Sequence, residues 1–203
     1  MAIVETLLPR ETVYGFTTER SGPIEAEDFE RWPQEPDNPM ELIEGWVMPM
    51  SPGNYLTGRT LPELYVALRA LVEEHGWEML LDARHVLPAP RNTVVFPDLA
   101  IHCTGAVQAT PELGTVHRAP DLVIELLGKE TADRDKAPRG AKFLAYQMSG
   151  VREYYYSWPD GREAAGFRLE GGSFLPLPAD SEGFFASPLL GARFRPVPPA
   201  LRR

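Results

Sequence analysis

Hydrophobic positions in this chain recur at two periods, and the switches between them mark the elements. Leu61, Leu64, Leu68, Leu71 and Val72 fall on one helix face, closed by His75-Gly76. Thr60-Leu61-Pro62-Glu63 matches a capping box with proline tolerated in the first turn, which places the expected helix start there. Apolar and β-branched runs then predict strands near 78–87, 94–102 and 121–127. Pro138 marks the start of a second helix, expected to turn Ala141, Leu144, Ala145 and Met148 inward and to stop at Gly150. An aromatic strand at 154–158, a turn at Pro159-Asp160-Gly161, a return strand at 164–169 and a short strand at 173–175 follow. Upstream, MELIEGWVMPM (40–50) reads as strand, turn and strand, with Glu44-Gly45 at the turn. Before it lie a short strand within 11–18 and a short helix over 25–32, stopped by Pro33.

The order helix, strand, strand, strand, helix, strand describes an α/β (α+β) protein: a mixed central sheet flanked by helices. With 203 residues the chain fits one domain: an extension and linker at 1–39 with PQEPDNP at its end, a core at 40–176 and a proline-rich, irregular tail at 177–203. No apolar run approaches the ~20 residues of a membrane span, and the N-terminus lacks the basic start and apolar stretch of a secretory signal. A single cysteine, Cys103, excludes an intramolecular disulfide and a multi-cysteine zinc site. A cytoplasmic protein is the default expectation. The net charge of −9 argues against a protein that lives on non-specific phosphate contacts, although local distribution outweighs the sum. Lys129, Arg134, Lys136, Arg139 and Lys142 form a weak basic patch, diluted by Glu130, Asp133 and Asp135.

Candidate chemistry lies between Phe96 and Tyr146. Asp98 follows a proline at a strand start, Glu125 sits inside the apolar run Leu122–Leu127, and Lys142 lies beyond. Two carboxylates on adjacent strand ends can grip a hard divalent cation, and a nearby ammonium can orient water or meet developing charge. That is the minimum set for metal-dependent phosphodiester cleavage. A carboxylate flanked by five apolar residues needs a cation or an open edge, so Glu125 carries more weight than Asp98, whose other reading is a turn cap.

Together these residues resemble the PD-(D/E)XK nuclease superfamily and, more narrowly, the Uma2 (DUF820) family of bacterial endonuclease-like proteins. The resemblance is carried by MELIEG at Met40, MSP at Met50–Pro52, FPDLAI at Phe96, PDLVIEL at Pro120, Lys142 to Tyr146, and GVREY at Gly150. It implies a restriction-endonuclease-like core with Mg²⁺ or Mn²⁺ held by Asp98, Glu125 and the backbone carbonyl of Leu126. It also implies catalysis by Asp98, Glu125 and Lys142, with DNA as the substrate. The chain departs from the pattern in four places, one of them a longer segment from Thr131 to Gly140 with Pro138 inside it. Leu127 occupies the lysine slot two residues after the second acid, Gly128-Lys129 replaces the serine-proline, and no histidine follows the MSP segment.

Several residues carry two readings. Lys142 is either the site lysine or a solvated helix lysine, with Lys129 or Lys136 as substitutes. Glu41 either lines the site or is an exposed strand acid, and Glu63 reads first as the capping-box glutamate. His102 shares strand parity with Asp98 and is a secondary candidate against a structural histidine. Tyr146, one turn after Lys142, either touches phosphate or packs. The expected function is a Mg²⁺- or Mn²⁺-dependent endonuclease on DNA. The alternatives are a degenerate nuclease-fold binding module and a hydrolase of small phosphoesters. A homodimer, using the aromatic strand and the tail as surface, would suit cutting both strands of a duplex.

Overall fold

The computed structural model describes residues 11–13, 16–18, 23–32, 39–51, 55–104, 107, 109–110, 114–129, 131–136 and 138–195. The expected linker before Pro39, Pro52 of the MSP segment and the last eight residues of the tail lie outside them.

A hairpin of β1 (Glu11–Val13) and β2 (Phe16–Thr18) comes first, followed by the short helix α1 (Ala26–Glu30). β3 (Met40–Ile43) and β4 (Trp46–Pro49) pair antiparallel across Glu44 and Gly45, both at positive φ as a tight hairpin turn requires. α2 (Tyr55–Glu74) starts five residues before the expected capping box. Thr60 is therefore interior and donates to the Pro159 carbonyl, while Glu63 pairs with Arg59 one turn back. Pro62 lies inside the helix, where it removes the amide that would bond the Gly58 carbonyl.

Two of the expected strands are each broken in two. Residues 78–87 form β5 (Glu78–Leu81) and β6 (His85–Leu87), with Asp82 at φ 46° between them. Residues 93–102 form β7 (Thr93–Val95) and β8 (Leu99–His102), interrupted at Phe96-Pro97-Asp98. The halves belong to different sheets, so these corners carry the chain from one sheet to the other. After them come β9 (Ala109–Thr110), β10 (Thr115–Val116), β11 (Leu122–Leu126), the short helix α3 (Ala132–Asp135) and α4 (Ala141–Met148). β12 (Glu153–Ser157), β13 (Ala164–Glu170) and β14 (Ser173–Leu177) form an antiparallel meander. The segment expected to be irregular contains a further hairpin, β15 (Phe185–Ser187) with β16 (Ala192–Phe194).

One six-stranded sheet runs β4-β3-β7-β6-β10-β9, and the other runs β14-β13-β12-β11-β8-β5. In the second, β11 and β12 are parallel, and α3 and α4 lie in the crossover that parallel strands require. Alternation along β11 sorts its two faces. Leu122, Ile124 and Leu126 pack with Leu61, Leu68 and Val72 of α2 and with Phe185 and Leu190 of the C-terminal hairpin. Val123 and Leu127 pack on the other side with Phe143 and Tyr146 of α4, and with Leu87 and Val95 of the first sheet. By parity Glu125 belongs to this second face. A smaller cluster, Ile24, Phe29, Leu42 and Val94, seats α1 on the first sheet.

Candidate active site

The corners at Asp82 and Asp98 lie side by side, with the Asp82 amide 3.4 Å from the Asp98 carbonyl. Asp98 directly precedes β8, and β8 pairs with β11, which puts Asp98 beside the end of the strand carrying Glu125. Its Oδ2 accepts from the Leu126 amide at 2.6 Å. α4 crosses this face and delivers Lys142, whose Nζ is 2.8 Å from Glu125 Oε1 and 3.0 Å from Glu41 Oε1. Asp135, at the end of α3, is 3.8 Å from the same ammonium. Tyr146 donates to Glu125 Oε1 at 2.7 Å, and Glu41 accepts from the Phe96 amide at 3.0 Å. Lys142, Glu125 and Glu41 are 4%, 3% and 1% exposed. Such burial is tolerable only because each charge meets an opposite one.

This geometry corrects the expected face of α4. Leu144 and Met148 point outward at 38% and 57% exposure, whereas Lys142, Phe143, Ala145 and Tyr146 are buried. The helix begins at Ala141 rather than Pro138. The ion pair with Glu125 and the Tyr146 hydrogen bond outweigh the apolar spacing in setting its rotation.

A pocket of about 820 Å³ opens over the cluster, between α2 and the two corners. Glu41, Asp82, Asp98, Glu125 and Asp135 line it, with Lys142 and Arg134 as its cations. Burial, and then the neighbouring Glu125, pushes the Asp98 carboxyl well above the ordinary carboxylate range, against the pull of the Leu126 amide and Lys142. Burial also raises Glu125 against the downward pull of Lys142, and it lifts Asp135 to about 7. Burial alone would lower the Lys142 ammonium, but Glu125, Glu41 and Asp135 outweigh it and hold the group charged.

The donor set suits a hard divalent cation. Asp98 engages one oxygen with the Leu126 amide and Glu125 one with Lys142 and Tyr146, which leaves each carboxylate a second oxygen. Asp98 and Glu125 both stay raised by burial despite the pull of Lys142, so the one ammonium does not offset their charge in full, and an oxygen-seeking ion would add to it. Among the described residues no three His, Cys, Asp or Glu side chains group as a metal cage, so further donors would be backbone or water.

Not every candidate converges here. Lys129 is exposed, and Lys136 pairs with Glu163 at 2.8 Å, so neither joins the cluster. His102 is buried at the far end of β8, where its Nε2 lies 3.1 Å from His85 Nε2, so it has a structural setting. Two pocket acids escaped the sequence reading. In the sequence Asp135 is only a charge diluting a basic patch, and Asp82 lies inside an expected continuous strand. The sole signal for Asp82 was an aspartate amid apolar residues.

The fold is a mixed α/β core whose two sheets and α4 bring Asp98, Glu125 and Lys142 to one pocket. The sequence pattern that defines the Uma2 family, described as "Putative restriction endonuclease", matches residues 26–195, and the chain belongs to this family. No curated protein matches the sequence. Among solved structures, a "putative nuclease belonging to DUF820" from Anabaena variabilis ATCC 29413 superposes with a TM-score of 0.65 at 15% identity. The match covers 83% of this chain and 92% of that one. At that identity the likeness concerns the fold.

Proposed function

We propose that this protein is a metal-dependent endonuclease that hydrolyses phosphodiester bonds of DNA. The observation that carries the reading is the meeting of Asp98, Glu125 and Lys142 in one pocket, although the lysine comes from a helix rather than from the strand of Glu125. Asp98, Glu125 and the Leu126 carbonyl would hold Mg²⁺ or Mn²⁺. Such an ion, when bound, lowers the pKa of water and neutralises charge at phosphorus. Lys142 steadies Glu125 and, held among the carboxylates, positions the attacking water. Glu41 fixes Lys142, Asp135 adds charge from 3.8 Å, and Tyr146 fixes Glu125, so the reacting groups are pre-positioned. A two-fold pair of such sites would cut both strands of a duplex, so a homodimer accompanies the reading.

The test is cleavage of supercoiled plasmid in Mg²⁺, Mn²⁺ or EDTA by wild-type protein and by Glu125→Gln and Asp98→Ala. Nicking that requires metal and disappears in both folded variants is the expected result. Absence of cleavage, with no Mn²⁺ binding by calorimetry, would sink it in favour of a degenerate binding module. That second reading is favoured by one observation: the Lys142 ammonium is already shared among three carboxylates.

A further inference from the structure

Among the described residues five carboxylates line the pocket, against two cations. A phosphate entering it meets Lys142 only after that ammonium has been shared with Glu125, Glu41 and Asp135. The second cation is differently placed. Arg134, on α3, lines the same pocket and makes no ion pair among the described residues. Its Nη1 is buried without a hydrogen-bond partner. Burying a guanidinium nitrogen with no acceptor is costly, and such an orphan in a folded protein calls for a reason. Nη1 itself is closed off from the pocket, but Arg134 lines that pocket and its guanidinium has no acceptor among the described residues, so a ligand's oxygens take its open edge without breaking an existing pair. The planar fork of an arginine matches two oxygens of one phosphate, which a point-charge lysine does not.

We infer that Arg134 is the phosphate-binding residue of the pocket, its guanidinium gripping non-bridging oxygens of the substrate phosphodiester while Lys142 stays with the carboxylates. This rests on the nuclease reading of the pocket, and it divides the two cations by task. Lys142 organises the acids, and Arg134 supplies the affinity for the anionic group that an acidic cleft would otherwise repel. The rival role for Arg134 is support of its neighbour Asp135, whose carboxylate it favours electrostatically.

The experiment compares wild-type protein with Arg134→Ala and Arg134→Lys by three readouts. These are plasmid cleavage in Mn²⁺, calorimetric titration of inorganic phosphate with and without Mg²⁺, and calorimetric Mn²⁺ affinity with thermal melting as the fold control. The expected result in Arg134→Ala is a loss of about 100-fold in cleavage rate, the scale for removing one preorganised donor to developing charge. Phosphate binding falls with it, Mn²⁺ affinity and melting hold, and Arg134→Lys recovers part of both losses. Phosphate binding that depends on Arg134 in a protein that never cleaves would uphold the inference and overturn the nuclease reading. Three results overturn the inference. One is cleavage and phosphate binding in Arg134→Ala equal to wild type. Another is a loss that tracks lowered melting or lowered Mn²⁺ affinity without recovery in Arg134→Lys, which assigns the arginine to Asp135. The third is a wild-type protein that does not bind phosphate at all.

Discussion

Lys142 is the residue on which most of the buried charge depends. Three carboxylates lie within 3.8 Å of its ammonium, and Asp98 and Asp82 also feel its charge. Truncating it to alanine leaves those acids buried without a counter-charge, a loss of about 3–5 kcal/mol. Urea denaturation should register it, together with an increase in protons bound on folding as the orphaned acids neutralise. Lys142→Ala with unchanged stability would mean that the cluster is more open to water than its burial indicates. Tyr146→Phe is a gentler probe, since it removes only the hydrogen bond to Glu125. The expected cost is about 1.5–3 kcal/mol, as for hydrogen bonds to charged groups. Gly128, which replaces the serine expected after the second acid, has a steric reason to be glycine. A Cβ there would meet Ser51 Oγ at 2.1 Å and Ser51 Cβ at 2.5 Å. Ser51 Oγ in turn lies 3.1 Å from Thr131 Oγ1. Gly128→Ala should therefore destabilise by about 1–3 kcal/mol through overpacking, and Gly128→Ala combined with Ser51→Gly should recover part of that in the same melts.

At the scale of elements, sequence periodicity located nearly every strand of the second sheet and the stop of both long helices. It failed where tertiary contacts overrode local signals. The run at 78–87 has no internal proline, and the aspartate at 82 is the one local mark of a break that arises because β5 pairs with β8 while β6 pairs with β7. At 94–102 the break is written in the sequence as Pro97, and the aspartate after it is the proposed metal-binding acid. α4 shows the same conflict from the other side. Its apolar spacing favours Leu144 and Met148, yet both are exposed because burying Lys142 and Tyr146 against Glu125 fixes the rotation. Thus Asp98 and Glu125 were legible as acids at strand ends, and Lys142 by position. Asp82, Asp135 and the orphan Nη1 of Arg134 were not, because their meaning exists only once the two sheets and α3 have been brought together. The aromatic strand gives a related lesson. Tyr154, Tyr155 and Tyr156 are all buried, so of the surface expected for a dimer the aromatic strand offers little, and the exposed segment at 178–183 of the tail is what remains.

Across the whole molecule, the two sheets are joined on their shared side by a pair of histidine rings. His85 belongs to β6 of one sheet and His102 to β8 of the other, stacked with centroids 5.3 Å apart. The bonding assigns their tautomers. His85 Nδ1 must donate to the Ala83 carbonyl at 2.7 Å, so its Nε2 accepts from His102 Nε2, and His102 Nδ1 is left bare and without a partner. This is the arrangement of two neutral rings, which burial favours by disfavouring a charge on either. Burial lowers His85 to about 4, and burial followed by the proximity of His85 lowers His102 to about 3. In the unfolded chain each titrates near 6.5. Between that value and the folded values the unfolded state binds more protons, so stability falls as pH falls, by up to about 1.4 kcal/mol per pH unit for each ring. Above about 6.5 the rings contribute no slope. The pocket acids act in the opposite sense. Asp98, Glu125 and Asp135 are raised in the fold, so their contribution is present in acid and is lost as pH rises toward about 7 for Asp135. The histidine contribution is isolated by difference: urea midpoints of wild type and of His85→Gln with His102→Gln, followed from pH 8 to 4. The wild type should lose stability relative to the double variant only below about pH 6.5, with the gap widening to pH 4. Parallel curves over that range would mean that the rings are already protonated or water-exposed, and that the two sheets are held together without them.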